Sequence, residues 1–180
     1  MSSQRLVVVG AESTGKTTLC QDLAERTGLP WVPEYGRDYT IEKYGKEGPG
    51  AAWTSAEFAH IARVQQEWEA RAESTGAPLI ICDTNAWATG LWHERYMGSR
   101  DPETDAIGAK DRADFYILDG LDVPFEPDDI RDGQDYREWM HDEFKRLLEA
   151  GDVPWMEVTG SREARIAKVL PVIESMLRSD

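Results

Sequence analysis

The chain has 180 residues, a length typical of one domain, and its hydrophobic fraction of 41% is that of an ordinary globular protein. Its 20 basic and 34 acidic residues give a net charge of −14, which argues against general binding to nucleic acids or membrane surfaces, because both are polyanions. Two cysteines cannot form a disulfide framework, and no apolar run approaches the roughly 18 residues of a membrane span, so we expect one soluble cytoplasmic domain.

Short apolar runs alternate with amphipathic stretches along the whole chain. Strands are predicted at residues 6–9, 31–33, 79–82, 115–118 and 155–158. Helices are predicted at residues 16–27, 35–44, 55–73, 85–96, 136–150 and from 161 onwards. Thr54 and Glu57 have the spacing of a capping box in front of the third helix, and Pro171 predicts a kink in the last one.

The predicted strands are apolar without alternation, as in strands that are buried on both faces. This pattern predicts an α/β fold with a parallel sheet and helices on both sides, in one domain over residues 1–180. Residues 98–105 are predicted to form a loop. Residues 119–135 are acidic and broken by Gly and Pro, and a loop of this length in a compact domain is usually a functional lid or disordered; we predict a lid.

The segment from Gly10 to Thr17 reads Gly-Ala-Glu-Ser-Thr-Gly-Lys-Thr and matches the phosphate-binding pattern G-x-x-x-x-G-K-[ST]. A buried strand before it and a helix after it distinguish it from a chance match. Its glycines allow backbone N–H groups to surround phosphates, the Lys16 ammonium reaches the β- and γ-phosphates, and the Thr17 hydroxyl ligates Mg²⁺. The residues predicted to bind ATP here are Gly10, Glu12, Ser13, Thr14, Gly15, Lys16, Thr17 and Thr18.

Asp83 follows the apolar run 79–82, so it stands at the carboxyl end of a predicted strand and beside the phosphate loop. A kinase with such a loop needs a carboxylate at this place, either to hold Mg²⁺ together with Thr17 or to orient the acceptor hydroxyl. The alternative is a helix cap, because Asp-Thr-Asn at residues 83–85 is also a typical helix start.

Further segments carry a resemblance to a known family. Residues 34–39 read Glu-Tyr-Gly-Arg-Asp-Tyr, residues 122–125 read Asp-Val-Pro-Phe, and Arg-Asp-Gly follows at 131–133. With the phosphate loop, residues 83–85 and the strand at 154–158, these segments make nearly the whole chain similar to the ribosylnicotinamide kinase domain of NadR-type proteins.

The resemblance implies a P-loop kinase fold whose five-stranded parallel sheet has the order 2-3-1-4-5. It implies ATP-dependent phosphorylation of the 5′-hydroxyl of nicotinamide riboside to nicotinamide mononucleotide, with ATP and Mg²⁺ as cofactors. NadR-type proteins usually carry further domains, and this chain has room only for the kinase unit, so we expect a stand-alone kinase. Asn85, Phe125 and Asp129 depart from the family pattern in the acceptor site and the lid.

The residues predicted to act in phosphoryl transfer are Lys16, Glu34, Asp83 and Arg131. Glu34 follows the second strand, where the acceptor enters, and is the candidate general base unless it only pairs with Arg37. Arg131 has the position of a lid arginine that bridges the transferring phosphoryl group and contacts ATP. The alternative for Arg131 is a solvated surface residue, and Arg137 is a second candidate.

The residues predicted to bind the acceptor are Glu34, Tyr35, Asp38, Asp83, Asn85 and Trp87. Asp38 follows Glu34 by one helical turn and either binds ribose hydroxyls or pairs with Arg37. A cationic nicotinamide ring favours an aromatic wall, for which Tyr35 and Trp87 are the chosen candidates. On the donor side, Gly160 and Arg162 follow the last strand where related kinases hold adenine, although Ser161 also fits a plain helix cap.

Two other functions fit the same sequence. The chain is then a kinase for another nucleoside or a nucleoside monophosphate, or a nucleotide-binding regulator that catalyses little. Glu34, Asp83 and Arg131 together favour catalysis, because a regulator does not need all three. The expected partner is a small molecule, with no nucleic acid and no membrane, and the sequence leaves the oligomeric state open.

Overall fold

The computed structural model describes residues 3–111, 113–126 and 134–178. The strands are β1 (Gln4–Val9), β2 (Trp31–Val32), β3 (Leu79–Asp83), β4 (Phe115–Asp119) and β5 (Trp155–Val158). The helices are α1 (Lys16–Thr27), α2 (Tyr35–Glu47), α3 (Ser55–Glu73), α4 (Ala86–Met97), α5 (Pro102–Gly108), α6 (Arg137–Ala150) and α7 (Arg162–Arg178). A 3₁₀ turn, Gln134–Tyr136, precedes α6.

All five strands are parallel, and their order is β2-β3-β1-β4-β5, which confirms the predicted order. The central strand β1 pairs with β3 on one side and with β4 on the other. Because the strands are parallel, their carboxyl ends share one edge of the sheet. Asp83 of β3, Asp119 of β4 and the segment after β1 therefore meet at this edge.

The core lies on both faces of the sheet, and β1 supplies side chains to each face in turn. Leu6 and Val8 pack in a cluster with α1 and α7, whereas Val7 and Val9 pack in a second cluster with α4 and α6. A strand buried on both faces needs apolar side chains at every position. This requirement is the reason that β1 shows no alternation in the sequence.

The predicted loop at residues 98–105 is wrong, since Pro102–Gly108 forms α5. Asp101 caps this helix by accepting a hydrogen bond of 2.8 Å from the backbone N–H of Thr104, and Pro102 stands at the first helical position, where proline is tolerated. A side chain at position 108 would come within 2.8 Å of the Cα of Trp87, so Gly108 permits the close packing of α5 on α4.

Other boundaries differ by a few residues from the prediction. Helix α2 continues to Glu47, and α7 runs from Arg162 to Arg178 with Pro171 inside it. The capping box of Thr54 and Glu57 is confirmed. Much of the predicted lid, residues 127–133, lies outside the described residues. Over the part of the chain that the structure describes, no helix is both long and apolar enough to cross a bilayer.

Candidate active site

The loop between β1 and α1 has the backbone of a phosphate cradle. Gly15 has a φ of 104°, a left-handed conformation that favours glycine, and it directly precedes α1. A Cβ at Gly10 would lie 3.0 Å from the carbonyl oxygen of Asp119, so a side chain there would require the end of β4 to shift. The Lys16 ammonium is buried and donates a hydrogen bond of 2.8 Å to the carbonyl of Ala11. The loop therefore presents backbone N–H groups and a lysine at the start of a helix, an arrangement that binds anions.

Asp83 and Thr17 form the second part of the site. The Thr17 hydroxyl donates a hydrogen bond of 2.5 Å to Oδ2 of Asp83, which is 1% exposed. Burial raises the pKa of Asp83, and the nearby charge of Lys16 opposes this shift. Asp83 is not the cap of helix α4. That role belongs to Asn85, which accepts the capping hydrogen bond from the backbone N–H of Ala88.

These two residues fit a bound Mg²⁺. Oδ1 of Asp83 is buried and has no hydrogen-bond partner among the described residues, and it belongs to a carboxylate already linked to the Thr17 hydroxyl. Hydroxyl and carboxylate oxygens are the donors that Mg²⁺ uses beside substrate phosphates. The described residues contain no group of three metal-binding His, Cys, Asp or Glu side chains, so the phosphates and water would supply the other ligands.

Glu34 connects the phosphate loop to a neighbouring cavity. It ends the link after β2, precedes α2 and is half-buried in the wall of the cavity. Burial raises the pKa of Glu34 to about 7, while the positive charges of Lys16 and Arg37 oppose the rise. A carboxylate with a pKa near neutrality is suited to accept a proton at physiological pH. Arg37 also lines the cavity. It is therefore placed both to pair with Glu34, as the sequence analysis considered, and to contact a bound ligand.

The cavity is open to solvent and joins the phosphate loop to an aromatic region. Its aromatic side chains come from the segment before α3, from α3 and from α4. They are Trp53, Phe58, Trp92 and Tyr96. Clefts with an apolar wall and a few charged groups are the usual form of small-molecule sites.

Several predicted acceptor residues lie elsewhere. The ring of Trp87 packs 4.9 Å from that of Tyr116 and 6.1 Å from that of Phe144, in the core under α6. Trp92 and Tyr96 stand one helical turn apart on α4 and line the cavity, whereas position 87 falls on another face of the same helix. Trp87 is therefore a core residue, and the prediction that it contacts the acceptor is wrong. Trp92 and Tyr96, which the sequence analysis did not choose, line the cavity instead.

Tyr35 and Asn85 hold the frame of the site together. The Tyr35 ring packs 5.0 Å from that of Trp68, and its backbone N–H donates to the side chain of Gln65, which lines the cavity. Asn85 is fully buried, and its amide donates a hydrogen bond of 3.1 Å to the Tyr116 hydroxyl. The described cavity wall includes Gly36, Arg37 and Thr40 of α2, and Asp38 lies on the same helix outside that group.

Glu126 of the predicted lid and Arg137, which follows the lid at the start of α6, both contact the phosphate loop at Ser13. The backbone N–H of Glu126 donates 2.9 Å to the Ser13 hydroxyl, and Arg137 donates to the Ser13 carbonyl at 3.3 Å and to that of Val123 at 2.8 Å. Arg131 lies outside the described residues. Arg137, the second candidate, therefore lies against the phosphate loop.

On the donor side, an arginine missed by the sequence analysis stands beside the predicted ones. Arg165 of α7 donates 2.8 Å to the carbonyl of Thr14 and pairs with Asp119 and Asp122. Asp122 in turn accepts a hydrogen bond of 2.6 Å from the backbone N–H of Gly160. Burial raises the pKa of Asp119 to about 6, and the charge of Arg165 opposes that shift. This network fixes the loop after β5 to the phosphate loop.

Arg162 has a different partner from the one expected. Its guanidinium pairs with Asp22 on α1, so the side chain bridges two helices instead of standing open for a base. The helix-cap reading of Ser161 has support, since its hydroxyl accepts from the backbone N–H of Ala164 at 3.3 Å.

Glu12, which the sequence assigned to ATP binding, has a partner that the sequence analysis did not find. Nη1 of Arg95 lies 3.1 Å from Oε1 of Glu12. The Arg95 guanidinium is 4.2 Å from the centre of the Tyr96 ring and 5.3 Å from that of Tyr136. The ion pair therefore joins the phosphate loop to α4.

Comparison with known proteins gives matches over most of the chain. The model of the AAA domain family matches residues 5–165. The trifunctional NAD biosynthesis/regulator protein NadR of Escherichia coli K12 is 28% identical over 126 residues, which cover 70% of this chain and 30% of that protein. The NadR protein of Salmonella typhimurium matches with the same identity and coverage. The chain thus spans about 30% of the length of these curated relatives.

Solved structures share the fold over nearly the full chain. A NadR protein in complex with NR has a TM-score of 0.78 at 19% identity, covering 98% of this chain and 52% of that one. A NadR protein in complex with NAD and AMP-PNP gives 0.74 at 20% identity, covering 98% and 50%. Deoxyadenosine kinase from M. mycoides gives 0.65 at 13% identity, covering 98% and 100%. The chain has the fold of the P-loop nucleoside and nucleotide kinases.

Proposed function

The chain belongs to the AAA domain family, and from this premise we propose that it is a kinase that transfers the γ-phosphoryl group of ATP to the 5′-hydroxyl of nicotinamide riboside. The observation that carries the proposal is that Lys16, Thr17 and Glu34 line one end of a single cavity with an aromatic wall, and that Asp83 lies behind this end, hydrogen-bonded to Thr17 and close enough to act on Glu34. A phosphate-binding loop alone is sufficient to bind a nucleotide, whereas two carboxylates beside its lysine are what transfer of the phosphoryl group requires.

The residues divide the work of transfer between donor and acceptor. Backbone N–H groups of the phosphate loop and the Lys16 ammonium bind the β- and γ-phosphates. Thr17 and Asp83 would hold Mg²⁺, which neutralises charge on the phosphate oxygens when it is bound. The acceptor oxygen forms a bond to the γ-phosphorus while the bond from that phosphorus to the bridging oxygen of ADP breaks.

Glu34 is placed to take the proton that the acceptor hydroxyl loses. Its carboxylate lies in the cavity wall near Lys16, and its raised pKa lets it hold a proton near neutral pH. Transfer through a loose transition state needs little base strength, so positioning of the hydroxyl is the larger contribution.

The acceptor is inferred from the far end of the cavity and from the relatives. Trp53, Trp92 and Tyr96 give the wall aromatic faces, to which a planar cationic ring is attracted by stacking and cation–π interaction. The curated relatives are NadR proteins, and one similar solved structure is a NadR protein in complex with NR. Both observations favour nicotinamide riboside over an uncharged nucleoside.

The test is release of ADP from Mg·ATP by the purified protein with nicotinamide riboside, other nucleosides and nucleoside monophosphates as separate acceptors. We expect turnover with nicotinamide riboside to exceed that with every other acceptor. Faster turnover with another acceptor would keep the phosphate chemistry and reject the assigned substrate. Tight binding of ATP with no turnover on any acceptor would reject the kinase and leave a nucleotide-binding regulator.

A kinase for another nucleoside or for a nucleoside monophosphate is the second candidate. Deoxyadenosine kinase and the thymidylate kinase of Ehrlichia chaffeensis share the fold over 98% and 96% of this chain and over 100% and 99% of their own chains. The fold is therefore compatible with either acceptor class, and the acceptor panel separates them.

A further inference from the structure

Glu12 is an acidic side chain in a loop built to bind phosphates. It lines the cavity at the end where the donor phosphates and the acceptor meet. A carboxylate there repels phosphate oxygens, and its burial is unfavourable without a cation beside it. The structure supplies that cation from α4 as Arg95, at 3.1 Å.

The ion pair is largely removed from solvent. The side chains of Arg95 and Glu12 are 3% and 11% exposed, and the Arg95 guanidinium stands against the rings of Trp92, Tyr96 and Tyr136. Trp92 and Tyr96 face the cavity, and Arg95 lies behind them. Arg95 is thus fixed by cation–π contacts and holds the Glu12 carboxylate at the cavity surface.

Glu12 lies close enough to other charged side chains of the site to affect their pKa values. Its carboxylate is close enough to Glu34 to contribute to the raised pKa of that residue, although burial is the larger cause. It also acts on Arg137, whose pKa burial lowers and Glu12 raises. The acceptor end of the site therefore carries the carboxylates of Glu12 and Glu34 beside the transferring phosphoryl group.

We propose that Glu12, positioned by Arg95, is a specificity-determining residue that rejects acceptors already carrying a 5′-phosphate. The inference rests on the proposed function, because it takes the acceptor to be a nucleoside. A nucleoside brings only a neutral hydroxyl to this place. A nucleoside monophosphate would bring a dianion between its sugar and the γ-phosphate, next to the Glu12 carboxylate, and would be repelled.

The same repulsion acts on the product. Transfer moves the phosphoryl group from ATP to the acceptor, so the product is a phosphate monoester whose negative charge stays beside Glu12. The carboxylate therefore weakens binding of the monophosphate after transfer and favours its release. Substrate selection and product release follow from one charge.

The test compares the dissociation constants of nicotinamide riboside and nicotinamide mononucleotide, measured by calorimetry with a non-hydrolysable ATP analogue present. Glu12→Gln keeps the size of the side chain and removes its charge. The double variant Glu12→Gln with Arg95→Gln removes both charges. Glu149→Gln is the matched control, because Glu149 is exposed on α6. The ratio of the two constants cancels any effect of a substitution on ATP binding.

The wild type should bind the riboside at least about tenfold more tightly than the mononucleotide. Glu12→Gln should tighten mononucleotide binding at least about tenfold and leave riboside binding within about twofold, with Glu149→Gln unchanged. The double variant should give the same ratio as Glu12→Gln, because without the Glu12 charge Arg95 has no carboxylate to position. Equal binding of both ligands by the wild type overturns the proposal without any variant.

An unchanged ratio in Glu12→Gln also overturns it, and a double variant whose ratio departs from that of Glu12→Gln shows that Arg95 does more than position Glu12. These results are separate from the proposed function. If the wild type turns over nicotinamide riboside and the ratio is unmoved by Glu12→Gln, the kinase stands and the specificity role fails. If the wild type turns over monophosphates only, both fail.

Discussion

The Thr17 hydroxyl and the Asp83 carboxylate are joined by a hydrogen bond of 2.5 Å that crosses from the first turn of α1 to the end of β3. Residues separated by 66 positions in the chain thereby form one unit, and the charge of Lys16 is close enough to act on Asp83. Asp83 is buried, and one of its oxygens has no hydrogen-bond partner among the described residues, so its negative charge destabilises the fold. This charge lies at the point where a metal would bind.

Asp83→Asn should therefore separate stability from activity. Burial raises the pKa of Asp83, so the contribution of this group to stability falls as the pH rises above the ordinary pKa of an aspartate. At neutral pH the asparagine variant should melt at the same temperature as the wild type or higher. Its kcat should fall at least about a hundredfold, since a ligand and charge at the phosphates are lost.

Melting curves and ADP release at several Mg²⁺ concentrations measure both effects, with Asp142→Asn on the exposed face of α6 as the control. The variant should also need more Mg²⁺ for half-maximal turnover. Loss of folding in Asp83→Asn with activity recovered in proportion to the folded fraction would show that the carboxylate is only structural.

Glu34 predicts an acid limb in the pH profile. Burial raises its pKa to about 7, so below that pH the carboxyl is protonated and cannot accept the proton of the acceptor hydroxyl. The kcat/KM for the acceptor should rise with pH through about 7 and then level off. Glu34→Gln should lower kcat/KM and abolish this limb, while KM for ATP stays near the wild-type value.

Steady-state kinetics from about pH 5 to about pH 9 decide the matter, with exposed Glu25→Gln as the control. If Glu34→Gln keeps the limb, another group titrates and Glu34 is not the base.

Arg165 and Arg162 should behave differently although they lie on the same helix. Arg165 is buried and links Thr14, Asp119 and Asp122, so Arg165→Met leaves carboxylates without their cation and should destabilise the fold by about 3 kcal/mol. KM for ATP should rise as the phosphate loop loses an anchor, and Arg165→Lys should restore part of the affinity. Arg162→Gln breaks a pair whose arginine is 65% exposed, so it should change the melting temperature little.

Urea unfolding and ATP titration of the three variants distinguish these roles. A rise in KM for ATP in Arg162→Gln, without a change in stability, would restore the contact with adenine that the sequence suggested for it. Equal effects of Arg162→Gln and Arg165→Met would contradict the anchoring role of Arg165.

The sequence predicted the parts of the site that are contiguous in the chain. The phosphate loop is eight consecutive residues between a strand and a helix, and β3 ends directly in Asp83, so local pattern carries both. The strand order needed the resemblance to a family, because runs of apolar residues do not state which strands are neighbours.

The sequence did not predict contacts made by side chains from distant segments. Arg165 reaches Thr14 across 151 positions, and Arg95 reaches Glu12 from the end of α4. Trp87, Trp92 and Tyr96 all lie on α4, and only its rotation about its axis decides that the last two face the cavity. That rotation follows from the packing of α4 on its neighbours, among them α5, whose first residues the sequence analysis assigned to a loop.

A buried cluster away from the site predicts how stability depends on pH. Arg5 contacts Glu69 at 2.7 Å and Asp111 at 2.8 Å, and the Glu69 side chain is fully buried. Burial and the neighbouring charge of Asp111 raise the pKa of Glu69 to about 9. Because the folded state holds this proton more tightly than the unfolded state, the stability due to Glu69 decreases as the pH rises towards about 9. The side chain of Glu69→Gln cannot ionise, so the melting temperature of this variant should rise relative to that of the wild type from about pH 5 to about pH 9. The control is Glu67→Gln, at an exposed position of the same helix, whose difference from the wild type should stay constant over this range. Parallel melting curves for the wild type and Glu69→Gln over this range would mean that Glu69 is ionised in the folded protein and held by Arg5.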